Sequence, residues 1–252
     1  NKTDDGSVHD KDNSYTWDTA QSDFIVQLNS ASFGGHADWR MPTIKELAWL
    51  VDNGRPGSPF INTEYFSSVG LTCWSGTEFM NPAGGWYVNF NIGTVNSTDK
   101  FHTYGVRAVR GTAMSESAGR FTIGPGDTVR DNETGLIWQD PKAPGDYTWE
   151  QALAYCENLE LAGYSDWRLP TWKELHSIID YAGTHGSAFM PEYGYFHSST
   201  TSTDNASASV GVYLLYGYVL NSSYFSSKLK PNPVRAVRTA SWYLDWSYNI
   251  SY

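Results

Sequence analysis

At 252 residues the chain has room for two ordinary domains. Its 40% hydrophobic content can supply their cores, yet no apolar run is long enough to span a membrane. Aromatics reach 15%, with 11 Trp and 17 Tyr, and charged residues only 17%, which favours short strands, turns and contact surfaces over long helices. A formal net charge of −10, with no basic stripe to reverse it locally, excludes nucleic acid and anionic membranes as partners.

The chain opens on Asn1 without a signal peptide, so it is expected to be either an exported product that has lost an N-terminal segment or a fragment. Asn-x-Ser/Thr sequons at Asn1, Asn96, Asn132, Asn205, Asn221 and Asn249 fit an extracellular or cell-surface location. They weigh little in a chain this rich in Asn, Ser and Thr. Asp4, Asp5, Asp10 and Asp12 could clasp calcium, but the Gly and closing Glu of a hand-type loop are missing, so no cofactor or metal is expected.

SYTWDTA at Ser14 opens a first helix, and DWRMPTIKEL (Asp38–Leu47) leads into a second. There Thr43 and Glu46 form the T-x-x-E of a capping box, and Leu47, Leu50 and Val51 supply an apolar stripe. Short alternating segments follow, WSGTEF at Trp74 and GWYVNFNIGTVN, which read as strands joined by Gly-centred turns. VRAVR at Val106 and the small, polar GTAMSESAGR close this half.

The second half repeats the plan. DWR recurs at 38 and 166 and VRAVR at 106 and 234, a common offset of 128 residues. DYTWEQA at Asp146 answers SYTWDTA, and ALAYCENL places Trp149, Leu153 and Cys156 on one helical face beside Ala152. DWRLPTWKEL brings a second capping box, Thr171 with Glu174, before Leu175, Ile178 and Ile179. HSSTTS at His197 echoes WSGTEF, and GVYLLYGYVLN supplies strands. Two features have no counterpart in the first repeat. One is a lead-in, TVRDNETGLIWQD, with a turn at Glu133–Gly135 and a strand-like Leu136–Trp138. The other is a trailing SWYLDWSYNISY (Ser241–Tyr252).

The predicted architecture is α+β, with two tandem domains of two helices and a compact, loop-rich antiparallel sheet each. Residues 1–111 form a first domain lacking its N-terminal strand, 112–120 a linker, 121–240 a second domain and 241–252 an aromatic strand-like tail.

V-x-D-x-x-T-G-L-x-W, ALAYC, DWRLPTxKEL, a serine-rich segment and a terminal VRAVR together resemble the Lcl C-terminal domain family, named after a bacterial collagen-like adhesin. The resemblance covers nearly all of Thr128–Thr239 and, without its start, Tyr15–Gly111. It implies a C-type-lectin-like fold related to that of formylglycine-generating enzymes, whose R-L-P-T-x-x-E-W segment is similar to Arg168–Leu175. Similar domains occur in bacterial surface proteins. Those enzymes depend on a cysteine pair, whereas here each repeat carries one Cys, so their activity is not carried over. The namesake's association with sulfated polysaccharides is not carried over either, because a chain at −10 repels polyanions.

Asp166, Arg168 and Glu174 could in principle form a catalytic cluster. A charged motif repeated in both domains and tied to capping boxes reads instead as scaffold. Asp38, Trp39, Arg40, Thr43 and Glu46, their partners Asp166, Trp167, Arg168, Thr171 and Glu174, and Arg107 and Arg235 of the VRAVR motifs are therefore assigned structural roles. In these, Trp39 and Trp167 are core aromatics and the arginines lock loops to carboxylates. The Trp172-for-Ile44 difference reads as a helix-surface choice. The six histidines lack metal-ligand spacing. Cys73 and Cys156 fall at non-matching places in the repeats, so a bridge between them has little support.

Trp74, Trp86, Tyr87 and Phe90, and Tyr213, Tyr216, Tyr218 and Tyr224, are candidates for contact with a glycan or protein ligand, although alternation along a strand would send about half of them into the core. In the tail Trp242, Leu244, Trp246, Tyr248 and Ile250 alternate with polar neighbours as in a strand. A first domain short of one strand and a spare strand at the end predict a non-enzymatic extracellular structural protein. Its tail would complement the first domain of a neighbour, giving a head-to-tail homopolymeric filament. The alternative is a surface ligand-binding module or adhesin.

Overall fold

The computed structural model describes residues 13–66, 68–79, 83–113, 119–181, 193–203, 205–215, 217–220 and 227–240. The first repeat opens with α1 (Trp17–Thr19), a π-helical stretch Ala20–Ile25 and α2 (Val26–Ser30), followed by α3 (Ile44–Trp49). Its strands are β1 (Thr72–Glu78), β2 (Gly84–Asn89), β3 (Thr94–Asp99) and β4 (Gly105–Val106). The second repeat begins with β5 (Phe121–Gly124), β6 (Thr128–Asp131), β7 (Leu136–Gln139) and β8 (Asp146–Tyr147). Then come α4 (Trp149–Glu157), α5 (Trp172–Ser177), β9 (Tyr195–Phe196), β10 (Gly211–Tyr213), β11 (Tyr218–Leu220), β12 (Asn232–Pro233) and β13 (Val237–Thr239).

The α+β class and the helix starts follow the sequence. Thr43, Thr148 and Thr171 each accept from the backbone N–H three residues on, while Glu46, Gln151 and Glu174 reach back to the capping residue's own N–H. Each such cap satisfies two otherwise orphaned donors and is worth about 1 kcal/mol. Leu47, Val51, Leu175, Ile178 and Ile179 are buried as the stripes require. Ile44 and Trp172, read as surface positions, are in fact buried: the first helical turn of α3 and of α5 faces the central core rather than solvent.

The larger departure is the sheet. The two repeats do not build separate sheets; seven strands run in the order β4-β1-β2-β3-β11-β10-β9. β3 and β11 pair antiparallel across the seam, with Val95 opposite Val219. The order reads as the same unit twice, turned about the β3–β11 seam. Beneath it lies one shared core: Ile44, Leu47, Trp86, Val88, Phe90 and Val95 from the first repeat meet Trp172, Leu175, Phe196, Val212 and Val219 from the second. Burying strand faces and helix stripes from both halves in one volume is the main source of stability for such a sheet.

Each repeat also has a satellite core under its first helix. In the second repeat this holds Ile137, Ala143, Ala152, Cys156, Trp167, Leu169, Val234, Ala236 and Ala240. In the first it holds Trp17, Ala20, Met41 and Trp74. The difference comes largely from the lead-in: β5, β6 and β7 form a meander that joins β13 in a four-stranded sheet, order β13-β7-β6-β5. A buried ion pair, Arg120 donating to Asp131 at 2.8 Å, ties the start of β5 to the end of β6 within this meander.

Candidate functional site

The charged motifs resolve into paired locks. Arg40 donates to both oxygens of Glu46 (2.7 and 2.6 Å), and Arg168 to both of Glu174 (2.9 and 2.6 Å). Arg110 Nε and Arg238 Nε each donate at 2.7 Å to the aspartate that begins DWR, Asp38 and Asp166. Bidentate forks of this kind fix loops against helix starts. Lys173 reaches across the seam, its Nζ donating at 2.9 Å to the carbonyl of Trp49, the last residue of α3, where a cation complements the helix dipole. No spacing within one repeat pointed to that contact.

These locks set the acid limit of the fold. Burial pushes the Glu174 carboxyl up, but the Arg168 guanidinium and the Thr171 N–H and hydroxyl outweigh it and hold Glu174 below its usual 4.5. Burial likewise opposes, and Arg120 with Thr134 and the Glu133 N–H overcomes, so that Asp131 sits below 3.8. A carboxyl with a lowered folded pKa adds stability above its unfolded pKa and loses it as pH falls through the folded value. The melting temperature is thus expected to be level from about pH 7 to 5 and to drop below about pH 4. Glu174→Gln is expected to lower it at pH 7 and shrink the acid drop; an acid limb identical to that of the parent chain would contradict the assignment.

The candidate ligand aromatics divide. Trp74, Trp86 and Phe90 are 0, 2 and 0% exposed and belong to the cores, so this structure leaves them no face for a ligand. Tyr218 is half-buried at the seam, its ring 5.1 Å from Trp86 and its hydroxyl 3.0 Å from Ser97 Oγ, so it ties the repeats together. Tyr87 is half-buried against Trp74 and Tyr104, and Tyr213 packs edge-on to Tyr195 at 4.9 Å. Tyr216, Tyr224, the aspartates of residues 1–12 and the whole tail lie outside the described residues. The serine-rich segments anchor both repeats alike: Trp17 and Trp149 donate their indole N–H groups at 2.8 Å to the carbonyls of Ser75 and Ser198.

Cys73 and Cys156 are both free and buried, and burial pushes the Cys156 thiol up to about 12. His176 is buried beside the Tyr181 hydroxyl at 2.7 Å, and burial lowers it to about 3. Among the described residues no group of three or more His, Cys, Asp or Glu could hold a metal ion, and no helix is long and apolar enough to cross a membrane. A cleft of about 310 Å³ opens at the seam, lined by Trp49, Asp52, Asn53, Trp172, Lys173 and Thr200. Trp49 is 52% exposed there, and the buried Asn53 amide has no hydrogen-bond partner among the described residues.

One sequence in two settings gives the sharpest contrast. Val234, Arg235, Ala236, Val237 and Arg238 are 0 to 3% exposed. In the identical Val106–Arg110 the first four residues are half-buried, and Arg110 is exposed. On one side both segments are held alike, by bridges Arg168↔Val237 and Arg40↔Val109. On the other side β7 pairs with β13 and covers it, and Arg235 donates to the Gln139 carbonyl at 2.6 Å and to Asp140 at 2.7 Å. Among the described residues no strand takes the place of β7 beside Val109. Trp39, expected in the core, is accordingly half-exposed, whereas Trp167 is buried in the satellite core that Ile137 of β7 helps to close.

A family model described as the Lcl C-terminal domain matches residues 2–110 and again residues 127–238. No curated protein matches the chain.

Proposed function

The chain belongs to the Lcl C-terminal domain family, in two tandem copies, and from that premise we propose that it is a non-enzymatic structural protein of the cell surface or extracellular space. Its copies join head-to-tail, the segment 241–252 of one completing the first repeat of the next. We read each repeat as a C-type-lectin-like unit. The observation that carries the proposal is the VRAVR edge of the first repeat, which no strand among the described residues covers, beside the covered one of the second. An open edge with unpaired backbone groups is a template for an incoming strand. The acceptor segment follows β4 at one end of the seven-stranded order, and the donor segment follows β13 in the four-stranded sheet of the other repeat, so the contact is heterologous and extends into an open chain of subunits. Sedimentation velocity and negative-stain microscopy of the whole chain, beside a chain ending at Ala240, test it.

The seam cleft favours a second reading, that of a surface ligand-binding module or adhesin. An exposed indole with a carboxylate, an amide and an ammonium close by suits the apolar face and hydroxyls of a sugar. Methyl glycosides of glucose, galactose and mannose, titrated against the chain, are expected to give a saturable tryptophan fluorescence change with a Kd on the order of 1 mM, lost in Trp49→Ala. No saturable change, or one that persists in the variant, removes this reading.

A further inference from the structure

We propose that the strand completing the first repeat is Leu244–Trp246 of a second copy, antiparallel and in the register β7 uses in the second repeat. This rests on the head-to-tail reading and specifies its contact. In the second repeat Val237, Arg238 and Thr239 stand opposite Trp138, Ile137 and Leu136. The 128-residue offset puts Val109, Arg110 and Gly111 in those places. The tail carries Leu244-Asp245-Trp246 where β7 carries Leu136-Ile137-Trp138. Leu136 and Trp138 enter the central core while Ile137 enters the satellite core, as alternation demands. The tail therefore reproduces the two side chains that matter most for burial.

It also changes the third in a way that fits its new position. Asp245 would stand opposite Arg110, whose side chain is 36% exposed and, among the described residues, pairs with the exposed Asp38. A cross-strand opposite charge adds to that pair instead of crowding a closed apolar layer. The chain's own residues 2–12 lie within the family match, and the 128-residue offset sets Val8, His9 and Asp10 against Leu136, Ile137 and Trp138, so this segment offers one small aliphatic side chain and no Leu-x-Trp.

Reach favours a donor in another molecule. The first VRAVR leaves the sheet at β4, and the second follows β12, which lies beside β9, the opposite edge. Six strand steps at about 4.8 Å put those edges roughly 29 Å apart. From Ala240 to Leu244 the chain spans at most about 14 Å. So short a link favours donation from another copy over a fold-back in this register.

The test mixes two variants of the full chain, Arg110→Cys and Asp245→Cys, one of them mass-tagged, under mild oxidation. The native Cys73 and Cys156 are buried. A disulfide-linked heterodimer is expected, since directly opposed residues meet the Cα spacing a disulfide needs. A mixture of Val109→Cys with Asp245→Cys is expected to lose the cross-link, because a one-residue slip turns the side chains to opposite faces. Cross-linking only in the slipped mixture overturns the register and leaves head-to-tail assembly standing. Assembly with no cross-link in either mixture overturns the strand contact. A monomeric cross-link in the double variant at high dilution overturns donation between copies. Absence of any assembly removes the reading beneath all of these.

Discussion

A chain ended at Ala240 is expected to stay monomeric at concentrations where the whole chain assembles, with its helices and core intact. The second repeat shows what a completing strand does there: Leu136, Ile137 and Trp138 are buried, and the VRAVR behind them is sealed. The proposed donor would bury Leu244 and Trp246 in the same way, so most of the association energy should rest on those two. Truncating a buried Trp to Ala typically costs about 3 kcal/mol or more, and about 1.4 kcal/mol is tenfold in affinity. Trp246→Ala is therefore expected to weaken assembly by roughly 100-fold. Tyr248→Ala, beyond the Leu-x-Trp, should matter far less. A synthetic peptide of residues 241–252 added in excess is expected to occupy acceptor edges and shorten the assemblies. The proposal fails if the truncated chain sediments and images like the parent, or if Trp246→Ala assembles with unchanged affinity.

The same contrast explains what could be read in advance. Capping boxes, helix stripes and the 128-residue repeat depend on residues close in sequence, so Thr43, Glu46, Thr171 and Glu174 announce their roles. Pairing between β3 and β11 joins two edges far apart in the sequence, and Val95 and Val219 carry no local mark of it. For that reason Trp86 and Tyr218, rich in aromatic surface and set among small polar residues, read as a ligand face although they hold the seam. Trp172 misled for a related reason: a position on the first turn after a cap is exposed in a lone helix, but here it faces the core that both repeats share. The unequal burial of the two VRAVR segments left no mark in their identical residues. The acceptor edge is located by comparing the two copies in the fold, one buried and one not.

Trp86→Ala is the second large effect, and it tests whether the repeats are one folding unit. Trp86 sits on β2 of the first repeat, and its ring lies 5.0 Å from Tyr181 and 5.1 Å from Tyr218 of the second. Removing it opens a cavity walled by both halves, at a cost of about 3–5 kcal/mol. In a chain of independent domains, only the first would lose stability and thermal unfolding would split into two steps. With a continuous sheet and a common core, the whole chain is expected to melt earlier in a single transition. Leu169→Ala serves as the counterpart, because Leu169 lies in the satellite core that the second repeat builds alone. If the repeats fold together, this change too should move the same single transition, by about 2–5 kcal/mol. Calorimetry decides the matter. Two separated peaks in either variant, with one left at the parent temperature, would mean that the seam joins the repeats without coupling their stability, and that the first repeat must stand on its own core even before a neighbour completes it.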